Sequence, residues 1–204
     1  MPKNLNITLD DNKRKLFEKY SQLFIQKNSQ LNLISKKDEK FLFEKHILDS
    51  LAISLVLNPK SGENILDIGT GGGFPSVPLA IFYDGVKVYG IDSIRKKIKA
   101  VEELKQKLGL ENLTLICDRV EKFDKKFDYV VSRAVASLDK ILEYAIPHVK
   151  KGGYFIAYKS RKVEDEIKAA QSVIKKFHLA PPEIVSYTLP LEEVFERNLV
   201  VFRV

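Results

Sequence analysis

Apolar and polar positions along the chain fall into two regimes. Up to about residue 57 the apolar residues recur at helical spacing. Leu16, Tyr20, Leu23 and Phe24 form one stripe within 10–27, and Phe43, Ile47, Leu48, Leu51 and Leu55 form another within 38–57, which predicts two amphipathic helices. The apolar LNLIS at 31–35 connects them, and Asn58-Pro59-Lys60-Ser61-Gly62 breaks the pattern. Beyond it, runs rich in Ile, Val, Leu, Phe or Tyr at 64–68, 87–92, 113–117, 127–132 and 153–159 alternate with helical segments at 75–83, 94–108, 138–149 and 163–177. Gly109 stands where a left-handed cap should end the second of these helices. Such alternation with short connections predicts a parallel, doubly wound α/β sheet. The tail differs: 183–189 and 198–204 are strand-like with no periodic helix between them. They should pair as an antiparallel hairpin at one edge. The whole reads as one domain, a helical extension over 1–58 packed on an α/β core over 63–204.

Composition narrows the classes. At 204 residues with 45% hydrophobic and 30% charged content, the chain is an ordinary globular one. No apolar run approaches the roughly 20 residues a membrane span needs, and the N-terminus lacks the apolar stretch of a signal peptide. A single cysteine, Cys117, excludes an internal disulfide or a multi-cysteine metal site and points to a reducing cytoplasm. Cys117 sits in a predicted strand and should be a small buried hydrophobe. The net charge of +7 suggests an anionic partner, nucleic acid first. Residues 94–108 and 148–180 concentrate the basic side chains, with Lys96, Lys97, Lys159 and, in the tail, Arg197 as candidates to meet RNA.

The chemistry is concentrated in ILDIGTGGGFPSVPLA at 65–80. A buried strand ends in Gly69, Gly71 and Gly73, and Pro75 and Pro78 fit the first turn of the helix that follows. Bare backbone at such a turn lets a flat cofactor approach. The dinucleotide fingerprint needs its third glycine three positions after its second, and here that position is Phe74. A GxGxG turn ending in Phe-Pro suits a nucleoside-bearing cofactor better than a pyrophosphate. It resembles the first loop of S-adenosylmethionine (SAM) methyltransferases.

In open α/β sheets the ligand lies beyond the carboxyl ends of the strands. Asp92, at the end of 87–92, is placed to accept both hydroxyls of an adenosine ribose; the alternative is a cap for the next helix, which Ser93 could serve equally well. After 113–117 comes Asp118-Arg119-Val120-Glu121, and either Asp118 or Glu121 could take the adenine amino group. The strand at 127–132 runs into Arg133, at the expected mouth of the site. Lys159, Arg161 and Lys162 follow the fifth strand.

HILDS at 46–50, DIGTGGGFPSVPLA at 67–80, DS at 92–93, RVE at 119–121 and SRAVASL at 132–138 together resemble the bacterial 16S ribosomal RNA guanine-N7 methyltransferases, the glucose-inhibited division protein B family. The resemblance runs from Leu31 to the last strand. It implies a Rossmann-like, seven-stranded SAM-dependent methyltransferase sheet and cofactor contacts at Gly69, Phe74, Val120, Glu121 and Arg133, favouring Glu121 over Asp118. It also implies methyl transfer to N7 of a guanine in the decoding-region loop of 16S rRNA, on the RNA or on the small ribosomal subunit. A cytoplasmic monomer without metal or membrane is expected. Two positions depart from the family: Ser160 follows Lys159 where glycine is usual, and Arg95 replaces a glycine. Guanine N7 carries no proton to remove, so no general base is expected and Arg133 would orient cofactor or base.

Other features have blander readings. His46, Asp49 and Ser50 lie within five residues of one predicted helix, whereas a hydrolytic triad gathers residues from separate elements; packing against the sheet is expected of them. Three scattered histidines do not make a metal site. Tyr129, Tyr154 and Tyr158 fall in strands and read as core, so no base-stacking platform is legible.

Overall fold

The computed structural model describes every residue except 1, 6, 161 and 192–194. Arg161, named above, thus lies outside the described residues. The strands are β1 (Lys3–Asn4), β2 (Asn64–Ile68), β3 (Lys87–Ile91), β4 (Leu113–Ile116), β5 (Phe127–Arg133), β6 (Val149–Lys159), β7 (Glu183–Leu189) and β8 (Phe195–Arg203). They form one sheet in the order β1-β7-β8-β6-β5-β2-β3-β4. Strands β2 to β6 are parallel to one another, and β8 runs antiparallel to both β6 and β7. The expected seven strands are present, with the two-residue β1 added in parallel on β7.

Alternation along the strands sorts side chains to two faces. Ile65, Val88, Val131 and Ile156 join α1 (Asp11–Leu31), α3 (Ser76–Phe82) and α4 (Arg95–Leu108) on one face. Leu66, Val130 and Phe155 join α5 (Leu138–Ala145), α6 (Val163–Ala169) and α7 (Gln171–Lys176) on the other. Helix α1 packs Phe17, Tyr20 and Phe24 into the first face with near-complete burial. Its start is capped by Asp10, which accepts from the Lys13 N–H at 2.8 Å, and its end by Asn32 in the left-handed conformation. Gly109 caps α4 as expected, at φ 69°.

The second N-terminal helix is not the regular one its stripe predicts. Residues Glu39–Phe41 are 3₁₀, Leu42–Leu48 are π-helical, Asp49–Leu51 make one α turn (α2), and Ala52–Leu55 return to 3₁₀. Most of the apolar stripe still faces the core, with Ile47, Leu48 and Leu51 buried, but Phe43 is 38% exposed and Leu42 and Ile53, outside the predicted stripe, are buried instead. The hydrogen-bond register changes as well, and with it the carbonyls left for other partners. Cys117 also departs from expectation. Strand β4 is the outer strand and ends at Ile116, so Cys117 falls in the loop beyond it and is exposed.

Candidate functional site

Strand order reverses between β2 and β5, with β3 and β4 on one side and β6 on the other. The carboxyl ends of β2 and β5 therefore flank the switch point. Gly69 follows one of them and Arg133 ends the other.

The turn after β2 requires its glycines for different reasons. Gly69, Gly71 and Gly73 all have positive φ, at 73°, 57° and 93°. A Cβ on Gly69 would collide with Val135 Cγ2, and one on Gly73 would lie 2.8 Å from Val77 Cγ2. Gly71 has open space around it, so its requirement is conformational. Its N–H donates to Asp92 Oδ2 at 2.9 Å, while Asp92 Oδ1 accepts from the Ile94 N–H at 2.8 Å. Asp92 thus ties the glycine turn to the start of α4. Those two bonds leave half of the carboxylate's acceptor capacity for a ligand.

Two adjoining clefts open over this turn. The outer one, about 350 Å³, is lined by Gly69, Asp92, Asp118, Val120, Glu121 and Val135. Asp118 and Glu121 both face it. The inner one, about 490 Å³, is lined by Gly71, His46, Phe74, Lys97 and Arg133 and by the connector residues Leu33 to Ser35. Gly69, Asp92 and Val135 belong to both, and Val135 overhangs Gly69 where they meet. A larger depression of about 730 Å³ lies at the other end of the sheet, around Asp84, Lys87 and Glu111. It has neither strand carboxyl ends nor the glycine turn, so the chemistry belongs to the two clefts.

Arg133 is anchored on three sides. Nη1 donates to Asp49 Oδ2 at 3.0 Å and to the Lys45 carbonyl at 3.1 Å, and Nη2 donates to His46 Nδ1 at 3.1 Å. Its guanidinium carbon lies 5.2 Å from the centre of the Phe74 ring. The π register explains part of this. In an α-helix the Asp49 N–H would bond the Lys45 carbonyl; here it goes to the Glu44 and His46 carbonyls, and Lys45 O accepts from the arginine. Asp49 is buried and also accepts from Tyr187 at 2.6 Å and Arg197 at 3.3 Å. Burial pushes its carboxyl up, but Arg197, Arg133 and the Tyr187 hydroxyl outweigh this and hold it below its ordinary value.

An arginine can only donate, so His46 Nδ1 must accept and the ring proton sits on Nε2. Burial, then the Arg133 charge, lower the His46 pKa to about 4, so the ring is neutral at pH 7. Nε2 has no hydrogen-bond partner among the described residues. Beneath the turn, burial raises Asp67 to about 7, against the pull of the Thr70 hydroxyl and the Ser76 N–H.

The structure brings Gly69, Gly71, Phe74, Asp92, Val120, Glu121 and Arg133 to the clefts. Gly73 supports the turn from behind, against Val77 and Val101. Phe74 is 4% exposed, its ring packed on Phe24, Tyr20 and His46. Of the basic candidates, Lys97 lines the inner cleft and Lys96 is exposed beside it. Lys159 and Arg197 do not offer free charges: Lys159 bonds the Glu166 carboxylate and the Ala136 carbonyl, and Arg197 pairs with Asp49. The 148–180 cluster is likewise partly neutralised, Lys150 by Asp128 and Lys176 by Glu143. Sequence reasoning missed the connector at 33–35 and Val135. The connector is held by buried Asn28, whose Oδ1 accepts from the Ile34 N–H at 2.8 Å and whose Nδ2 donates to Glu39 at 2.7 Å. An asparagine on the buried stripe of α1 was the one available signal.

The sequence and the fold have known counterparts. Residues 13–196 match the GidB family, described as rRNA small subunit methyltransferase G. The chain belongs to this family. The "Ribosomal RNA small subunit methyltransferase G" of Lachnoclostridium phytofermentans is 37% identical over 207 residues, covering 98% of this chain and 85% of that protein. Among solved structures, a SAM-dependent methyltransferase from Aquifex aeolicus superposes with a TM-score of 0.61 at 20% identity, covering 83% of this chain and 96% of that one. A SAM-dependent O-methyltransferase from Thermotoga maritima gives 0.60 at 20% identity, covering 76% of this chain and 64% of that one. At such identity these structures establish the shared fold. Among the described residues no cluster of three or more His, Cys, Asp and Glu could hold a metal, and no helix is long and apolar enough to cross a membrane.

Proposed function

We propose that this protein transfers the methyl group of SAM to N7 of a guanine in the decoding-region loop of 16S rRNA, by direct displacement and without a general base. The observation that carries this reading is the state of His46, the histidine of the inner cleft. Its one lone pair accepts from Arg133, and its proton sits on the other nitrogen. It cannot take a proton from a nucleophile without first breaking that bond. Asp38, on the same wall, is held low by hydrogen bonds from Ser35 and Lys45, against the opposing effect of burial, and is a weak base. A site so equipped suits an acceptor atom with nothing to deprotonate. Guanine N7 is such an atom.

The clefts fit SAM in shape and in donor set. The glycine turn leaves backbone where a Cβ would intrude, Asp92 retains acceptor capacity for ribose hydroxyls, and Glu121 faces the outer cleft beside Val120. Bound there, SAM would supply a methyl group on a positively charged sulfonium. Arg133, fixed by Asp49, His46 and the Lys45 carbonyl, would orient the reacting groups, and Phe74 would hold the turn against α1. Position and electrostatics are what this chain contributes. Lys96 and Lys97 would meet phosphate. In this reading the protein works as a cytoplasmic monomer.

The test is to incubate the protein with radiolabelled SAM and small subunits that lack the modification, then map the labelled base. Label at guanine N7 of the decoding-region loop is expected. Label on protein or on a small molecule, or binding of SAM without transfer, would overturn the reading.

A further inference from the structure

Outside the clefts, one patch brings together aromatic and basic side chains, some exposed and some half-buried. Phe41 ends the 3₁₀ turn at Glu39–Phe41, and Phe195 opens β8 from the far end of the chain. The Lys45 ammonium lies 4.7 Å from the centre of the Phe41 ring and 5.4 Å from that of Phe195. Lys40 sits 4.7 Å from the Phe41 ring, and the Arg197 guanidinium 6.0 Å from that of Phe195. Phe195 is 38% exposed, Phe41 half-buried and Lys40 exposed.

The patch is continuous with the inner cleft. Lys45 carries its side chain to the two rings and its carbonyl to Arg133. Asp38, which lines the cleft, accepts from Lys45 Nζ at 3.2 Å. Arg197, beside Phe195, pairs with Asp49, the partner of Arg133. A ligand atom held at Arg133 and a group resting on these rings would therefore belong to neighbouring stretches of one molecule.

We infer that Phe41 and Phe195, bridged by Lys45 and flanked by Lys40, form a platform that stacks a base of single-stranded RNA next to the nucleotide being modified. This rests on the RNA reading proposed above. Aromatic rings offer the sequence-tolerant stacking surface that single-stranded RNA uses, and the exposed Lys40 ammonium beside them can meet a phosphate. An apolar protein partner fits poorly, since covering the rings would bury the Lys40 ammonium without supplying negative charge. The rings are also pre-placed. Lys45 is tethered to Asp38 and Arg197 to Asp49, so little ordering remains to be done on binding.

The experiment measures binding of a fluorescein-labelled, single-stranded RNA dodecamer, and of the same oligomer carrying abasic positions, to the full-length protein. The variants are Phe41→Leu, Phe195→Leu, the double variant and Phe195→Tyr, with SAM affinity as the control for folding. The double Leu variant should weaken binding of the intact oligomer by about 10-fold or more, with SAM affinity unchanged. Phe195→Tyr should bind like the parent, and the abasic oligomer should no longer distinguish parent from variant. Equal binding by parent and double Leu variant would overturn the platform, as would an equal loss on the abasic oligomer. So would normal RNA binding with methyl transfer abolished only on assembled small subunits, which would mark a site for ribosomal protein. If the parent methylates guanine N7 and the Leu variants bind RNA normally, the platform fails and the proposed function stands. If the parent labels no RNA but the Leu variants still lose oligomer binding, the platform stands and the function fails.

Discussion

Arg133 Nη2 donates to His46 Nδ1 at 3.1 Å, and that single bond settles which protonation state the imidazole can adopt. The donor cannot lose its proton and the acceptor cannot keep one there. The histidine of the inner cleft is thereby turned from a base into a fixed wall with an N–H on its far side.

His46→Asn should consequently reduce methyl transfer by no more than about tenfold, whereas removal of a true general base costs about 10²–10⁴. In the parent, kcat should show no ionisation of this ring between pH 6 and 8, because its pKa lies at about 4. Single-turnover rates across that range check both statements. An inflection near neutrality abolished by His46→Asn would refute them.

Asp49→Asn removes the anion shared by Arg133 and Arg197 and leaves two largely buried guanidinium groups facing a neutral amide. Breaking a buried ion pair in this way costs about 3–5 kcal/mol. A clear fall in Tm is expected by calorimetry, together with weakened transfer, since Arg133 loses its strongest tether.

Asp67 is buried with a pKa of about 7, against an ordinary carboxyl value near 4 in the unfolded chain. Between those values the folded state holds a proton that the unfolded state has released, so this group's contribution to stability falls as pH rises from about 4 to 7 and is constant on either side. Asp67→Asn should cancel that contribution, up to roughly 4 kcal/mol at pH 7 if the full shift is expressed. Urea denaturation of the ligand-free protein at pH 5 and pH 7.5 measures it. The variant should gain more stability, relative to the parent, at the higher pH.

Gly69→Ala should weaken SAM binding and stability together. Its φ of 73° costs an L-residue about 1 kcal/mol, and its Cβ would meet Val135 Cγ2. Adding Val135→Ala should restore part of the loss, because it relieves the collision and leaves the backbone strain. Titration calorimetry with SAM on the single and double variants tests this, and strictly additive losses would disprove the steric account.

Asp92→Ala should weaken SAM binding, through both the missing acceptor and the loosened Gly71 and Ile94 N–H groups, with little effect on RNA affinity. Charge reversal at Lys96 and Lys97 should do the converse and lower the salt slope of RNA binding by roughly two, about one for each phosphate no longer neutralised. Parallel titrations with each ligand separate the two; equal effects on both ligands would contradict the division.

Much of this architecture was legible because it is local. Alternating apolar runs, helical stripes and a glycine cap each depend on residues within one or two turns, and β2 to β6 with their helices follow from them. The glycine turn, Asp92, the stretch from Asp118 to Glu121 and Arg133 could be placed because strand ends in a doubly wound sheet converge at one rim; the choice of Val120 and Glu121 within that stretch came from the family resemblance. The segment at 38–57 was harder. Its stripe held at Ile47, Leu48 and Leu51, but the π and 3₁₀ turns shift the buried face so that Phe43 is exposed and Leu42 and Ile53 are buried, and which carbonyls are left over depends on Arg133 arriving from β5. Cys117 failed for a related reason: a strand's apolar pattern does not reveal how far the strand extends at an exposed edge.

The sequence by itself determined the fold class, the glycine turn and the type of cofactor it can cradle, since these rest on short-range sterics and on periodicity. Only the tertiary structure decided how the charges were spent. It committed Lys159 and Arg197 to carboxylates, fixed the tautomer of His46 through Arg133, and set Phe41 beside Phe195 around one lysine. Ion pairing, desolvation and stacking depend on distances of a few ångströms between residues far apart in the chain, and no local pattern encodes those distances.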